Sequence, residues 1–336
     1  MTIRAVPVTP TLVLALLLVG TSALAAGDPS AALDHLEATR DGDGHFATSP
    51  RYVLEAAHSA GQDVTAWPAA GGPTVWDQLE PTPTAECPTE GEAYFANLRQ
   101  VHAVGTSGRD PHDVHGVNLV RCLNNGFDGN QHGDPLLIND DAWAILALRA
   151  ADYGRGNDRI QASADVLVVG QNLDGGWSHN GLAASDTDFT AMVLVALDHA
   201  GRLDDVATSA ADFLASTSAA SGGHSSRPGE PANCQSTVWA IHAANVLGQA
   251  VDQADLDFLA SLQNPDGGYA VAPGLASDPF CTAEAVPVAA GRYQPWSHGE
   301  REPTGGGGGG EPGPFKPYRE LVEGLTGIDP ADLGPL

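Results

Sequence analysis

Apolar and polar positions along this chain follow two helical patterns that take turns. Asp255-Leu256-Asp257-Phe258-Leu259-Ala260-Ser261-Leu262 carries an apolar stripe at helical spacing, with acidic residues on the other face. The run from Arg159 to Gln171 is of the same amphipathic kind. Residues 188–197, DFTAMVLVAL, are instead apolar nearly all round and rich in Ala, Val and Leu, which suits a helix buried on two sides. DDAWAILAL (140–148), QSTVWAIHAA (235–244) and CTAEAVPVAA (281–290) share that character. The alternation predicts an all-α chain with two concentric layers, outer helices wetted on one face and inner helices wetted on none.

A fixed period links the two kinds. Gly129, Gly175, Gly222 and Gly267 each follow an Asp or Ser in a turn, at spacings of 46, 47 and 45 residues. Self-similarity at such a period marks a repeat architecture. Glycine suits these turns because it reaches positive φ and ends a helix without a Cβ clash. The aromatic that follows (Phe46, Trp177, Tyr269) can pack over the turn. An earlier copy, Arg40 to Phe46, is set apart by a longer insert. Within residues 64–118, Thr65 to Pro73 and Pro81 to Pro88 are Pro-containing loops. Val75 to Glu80 is predicted to begin an outer helix, and Tyr94 to Val104 an inner one, giving one more repeat with a modified turn.

The turns QNLDGGW (171–177) and QNPDGGY (263–269) resemble those of the prenyltransferase and squalene-cyclase repeat superfamily. SDTDFTAMVLVAL (185–197) is similar to the start of its inner helix. The resemblance covers roughly residues 28–296 and implies an α/α toroid of five to six helical hairpins of ~46 residues. Inner helices would ring a central cavity. The superfamily also includes complement thioester domains and cobalamin carriers, so the fold does not choose a function.

In such a toroid the starts of successive inner helices are neighbours. Cys234 and Cys281 lie one repeat apart near two such starts, and they are expected to form a disulfide. Cys87 and Cys122 then pair by elimination, tying the insert to its repeat. Disulfides fit an exported chain. Arg4, the apolar run Leu12 to Leu18 and Ala23-Leu24-Ala25 read as a secretory signal over residues 1–26. The apolar run is too short to span a bilayer, and no later stretch is long and apolar enough, so no membrane anchor is expected. The toroid domain is expected over residues 27–298. Residues 299–314, with six consecutive glycines, read as a flexible linker. Residues 315–336 form a short tail with a possible helix. Such a tail is either a frayed end or a docking peptide for a protein partner.

With 15 basic against 42 acidic residues, and Lys316 the single lysine, the surface would repel nucleic acid and anionic membranes. Neither is an expected partner. The acidity is compatible with a salt-rich habitat and equally with surface solubility.

Asp186-Thr187-Asp188-Phe189 carries the sharpest chemical signal. Class II terpene cyclases of the superfamily protonate an alkene or epoxide with the central acid of a DxDD motif. The resemblance puts Asp188 in that place, with Asp186 as its companion. The chain departs from the motif at Phe189, where the last aspartate is replaced. Helix capping accounts for both acids as well, and Asn139 and Gln235 occupy the place of Asp188 in sister repeats. Protein prenyltransferases bind zinc, but Asp278, Cys281 and His298 lack the family's Asp-x-Cys spacing. His112-Asp113-Val114-His115 is either a solvated turn or a loop metal site. No metal or cofactor is assigned.

Trp143, Met192, Trp239 and Glu284 align across four repeats, so they either line the cavity or pack between layers. With His242, and with Asp140 and Asp141 at a helix start, they are the candidate cavity residues, although capping also explains the two acids. An aromatic-walled hole suits a flat or hydrocarbon-rich ligand, isoprenoid or corrin-like. The expected function is non-catalytic binding of such a molecule. The alternatives are an isoprenoid cyclase using Asp188 and an extracellular scaffold.

Overall fold

A computed structural model describes residues 26–69, 71–80 and 87–294. The proposed signal cleavage site, the glycine linker, the tail and His298 lie outside the described residues. Eleven α-helices run in chain order: α1 Pro29–Ala38, α2 Pro50–Ser59, α3 Gly91–Thr106, α4 Leu119–Asn125, α5 Ile138–Ala150, α6 Asp158–Val169, α7 Thr187–Ala200, α8 Ala207–Thr217, α9 Cys234–Val246, α10 Gln253–Ser261 and α11 Pro279–Ala289. A two-residue antiparallel ladder, β1 His224–Ser225 with β2 Ala232–Asn233, precedes α9.

Helix packing closes a ring. α2 packs on α3, α3 on α5, α5 on α7, α7 on α9, α9 on α11, and α11 returns to α2. Helix α1 packs outside α11 and α2, α4 outside α3, α6 between α5 and α7, α8 outside α7, and α10 outside α9. The chain is an α/α toroid with six inner helices and, among the described residues, five outer ones. Helix α5 shows why the inner layer forms: apart from Asn139 and Arg149, every residue from Ile138 to Ala150 is buried. No stretch of that helix could face water without exposing apolar surface.

The period of the sequence is the period of a latch. Trp177, His224 and Tyr269 donate their backbone N–H groups to Thr190, Thr237 and Thr282 in the first turns of α7, α9 and α11, at 2.9, 2.9 and 2.8 Å. Asp186, Asn233 and Asp278 cap the same helices, each Oδ1 accepting an N–H of the first turn. The glycine ahead of each latch lies against the next outer helix. A Cβ at Gly175 would overlap the Ser209 carbonyl of α8, one at Gly222 the Ala254 carbonyl of α10, and one at Gly267 the Ala31 carbonyl of α1. The last turn therefore grips the first outer helix. Tyr269 also donates its hydroxyl to the Ala26 carbonyl at 2.9 Å.

One expected element does not form. Residues 75–78 make a turn rather than a helix, because Val75 and Trp76 give their N–H groups to the carbonyls of Trp67 and Val64. α2 and α3 have no outer helix between them among the described residues. Both disulfides are present, Cys87–Cys122 and Cys234–Cys281, the second joining the starts of α9 and α11. No described helix is long and apolar enough to cross a membrane.

Candidate functional site

Side chains from five inner helices converge in the bore on a partly open cavity of about 30 Å³. α2 contributes Tyr52 and Glu55, α3 Arg99 and His102, α5 Trp143, α9 Val238, Trp239 and His242, and α11 Ala283, Glu284 and Pro287. Gln294 covers one side and donates its backbone N–H to His242 Nδ1 at 3.2 Å. The i, i+3 spacing of Tyr52 with Glu55, and of Arg99 with His102, puts each pair on one helix face. Pro287 lacks the N–H that would bond the Ala283 carbonyl, which leaves that acceptor without its helical partner in the cavity wall.

Charge in the bore rests on aromatic rings. The Arg99 guanidinium lies 4.3 Å from the ring centre of Tyr52 and 4.4 Å from that of Trp143, positions that attract a cation through the ring quadrupole. Its carboxylate neighbour is Glu284, at 4.0 Å. Glu55 meets His102 Nδ1 at 2.7 Å. Trp143 and Trp239 meet edge to face at 6.1 Å. Burial pushes the Glu284 carboxyl up to about 7, against the opposing pull of Arg99 and of a hydrogen bond from the Gln235 side chain. Burial also holds His242 down at about 3, so its ring is neutral. Glu284 Oε2 is buried with no hydrogen-bond partner among the described residues.

Of the residues expected in the cavity, Trp143, Trp239, His242 and Glu284 line it. Met192 is buried in the apolar core and is not among the lining residues. The structure places Asp140 and Asp141 elsewhere, at the head of α5. Asp140 Oδ2 accepts the Asp134 N–H at 3.0 Å. Asp141 Oδ1 accepts the His132 N–H at 2.9 Å and the Ser163 hydroxyl at 2.6 Å. Asp141 thus does in its repeat what a threonine does in the latches of α7, α9 and α11. Both acids titrate upward through burial, Asp140 to about 7.

Asp186 is the N-cap of α7, and burial raises it to about 6. Asp188 is the second residue of α7, in its first turn. Burial raises its carboxyl, opposed by a hydrogen bond from Ser236, and its Oδ1 is buried without a partner among the described residues. Cys281 is held in a disulfide and Asp278 caps α11, so neither is free to bind zinc. His112 bonds Asp110, and His115 Nε2 meets the Trp76 carbonyl, as in a loop closed on itself.

Tyr52, Glu55, Arg99 and His102 were not singled out by sequence. Their signal was present in principle: Arg99 and His102 are polar residues three apart inside an expected inner helix. The insert ahead of α3 breaks the period that brought out Trp143 and Glu284.

No family model matches the chain, and no curated protein matches it. Among solved structures it is similar to the type II terpene cyclase MstE from Scytonema in complex with geranylgeranyl dihydroxybenzoate, with TM-score 0.47, 13% identity, and coverage of 78% of this chain and 95% of that one. It is also similar to Candida albicans protein geranylgeranyltransferase-I complexed with GGPP, with TM-score 0.39, 17% identity, and coverage of 46% of this chain and 49% of that one. The chain thus spans about half the length of the geranylgeranyltransferase chain that it matches. Both solved structures belong to the prenyltransferase and terpenoid cyclase α/α toroid superfamily, and the likeness is one of fold.

Proposed function

We propose that this chain is an exported, non-catalytic binding protein that holds a small molecule in the bore of its toroid. The supporting observation is the convergence of Tyr52, Trp143 and Trp239 with Arg99, Glu55 and Glu284 on one partly open cavity. Aromatic walls with a few fixed polar groups are the usual composition of a ligand site. The cavity also limits the ligand. At about 30 Å³ it has room for one or two waters or a small head group, far less than the roughly 300–1,000 Å³ of a drug-sized pocket. A corrin or a long isoprenoid would not enter without parting the inner helices. A small flat or partly apolar group would.

Native mass spectrometry of the oxidised protein, purified gently from its own cells, tests this. The binding reading expects an extra mass that is lost on denaturation. The same ligand added back at about 100 times its Kd should stabilise the protein by about 2.7 kcal/mol. A clean apo mass, with no melting shift across small-molecule panels, would remove the reading.

A catalytic reading has its own observation in Asp188, whose carboxyl is buried, raised and carries an unpartnered oxygen. A general acid needs a carboxyl that burial keeps protonated. Under this reading Asp188→Asn abolishes turnover of a prenyl-diphosphate or squalene-like substrate and leaves the melting curve intact. Turnover that survives the substitution takes Asp188 out of any mechanism.

A further inference from the structure

Resting on the binding reading above, we propose that the group seated in the bore is an organic ammonium, received by the Glu284 carboxylate beside Trp143 and Trp239. Three observations carry this. The first is the balance of charge. Glu55 and Glu284 line the cavity against the single guanidinium of Arg99. Asp188 is not among the lining residues, but its charge acts on Glu284 from behind the wall. A carboxylate or phosphate ligand would face Glu55 and Glu284, with Arg99 the one guanidinium among the lining residues to receive it, and Arg99 already lies against two rings.

The second is hydrogen bonding. The Glu284 carboxyl takes a side-chain hydrogen bond from Gln235, but its Oε2 is buried with no partner among the described residues. A buried acceptor left unsatisfied is unfavourable, and an ammonium brings three donors. A hydrocarbon would leave that oxygen as it is. The third is the aromatic wall. Tyr52 and Trp143 already hold the Arg99 cation, so the bore is built to accept positive charge on its rings. Trp239, edge to face with Trp143, has no such cation among the described residues. A cavity of about 30 Å³ fits an ammonium with its first methylene, so the rest of the molecule would run out through the open side. The surplus of 42 acidic over 15 basic residues would gather such cations from solution.

The test uses three probes of one chain length and different charge: n-butylammonium, 1-butanol and butyrate. Each is titrated into the oxidised full chain at pH 8, where Glu284 is ionised, and at equal ionic strength, following tryptophan fluorescence and the melting temperature. The expected result is saturable binding of butylammonium at least tenfold tighter than butanol, with no saturation by butyrate. Glu284→Gln should lower the amine's affinity at least tenfold and abolish its preference over butanol. If that variant does not fold, Trp239→Leu should show the same loss of preference. Butanol binding as tightly as the amine would overturn the ammonium assignment and leave the binding reading standing, as would tighter binding of butyrate. If none of the three saturates, the assignment falls. The binding reading falls with it only if the native mass also carries no ligand.

Discussion

Glu284 sits in a helix of Ala, Val and Pro, and its burial sets a pH dependence of stability. Its folded carboxyl is raised to about 7 from 4.5. Below 4.5 it is protonated in both folded and unfolded chains and contributes no linkage. Between 4.5 and 7 the unfolded chain ionises while the folded chain keeps its proton, so stability falls as pH rises through that window. Above 7 the loss levels off at about 3 kcal/mol. Glu284→Gln removes the titration. The stability of the variant relative to the parent should therefore rise between pH 5 and pH 8, by up to about 3 kcal/mol in urea unfolding. A difference that stays flat would mean that Arg99 keeps the carboxylate ionised throughout. Glu284 was legible in the sequence because the repeat alignment set it beside Trp143 and Trp239 and left it the odd carboxylate. Its partner Arg99 was not, because the cation that answers Glu284 comes from α3, after an insert that breaks the period. Asp140 and Asp141 were legible as acids at a helix start, and their bonds to Asp134 and His132 are local. Their distance from the bore follows from that first-turn position, which looks toward the preceding turn rather than along the helix into the ring.

At the scale of the element, the unit is the latch between a turn, the inner helix after it and the next outer helix. Gly267 shows two demands acting on one residue: its φ is +87°, and a Cβ there would overlap the Ala31 carbonyl of α1. Gly274 has φ +81° with open space around it, so it shares the first demand only. Gly274→Ala should cost about 1–2 kcal/mol, the usual penalty of the left-handed region. Gly267→Ala should cost roughly twice that or more, because α1 must also move away from the turn. Chemical unfolding of the two variants measures the difference, and equal losses would show that the clasp on α1 contributes nothing. The turns were readable because every contact that defines them recurs at one spacing. Val75 to Glu80 was misread as a helix for the opposite reason. Its apolar pattern is helical, but its N–H groups go to Val64 and Trp67, a pairing that no periodicity announces.

The closing of the ring belongs to the whole molecule. Gln263 accepts the Asp28 N–H at 2.8 Å across 235 residues, and Tyr269 reaches Ala26. The repeat period implies a curved stack of helices. It does not by itself say how many repeats bring the last turn back to the first helix. The Cys234–Cys281 disulfide then fastens neighbouring inner helices close to that seam. What opposes closure is charge. The full chain carries a formal net charge of −27, and self-repulsion on that scale destabilises a folded state relative to an expanded chain. Salt screens it, with a Debye length of about 10 Å at 0.1 M and about 3 Å at 1 M. The melting temperature should therefore rise by several degrees as sodium chloride is taken from about 0.02 to 1 M, with most of the gain once the screening length falls below the spacing of surface carboxylates. The opposing contribution is small. The exposed or half-buried ion pairs, such as Arg202 with Asp165 and Asp205 and Arg109 with Asp63, would be weakened by the same salt, but such pairs are worth ~1 kcal/mol or less each. A melting temperature that fell with salt would reverse this ordering, and would mean that these few arginine pairs hold the toroid together more strongly than its carboxylates push it apart.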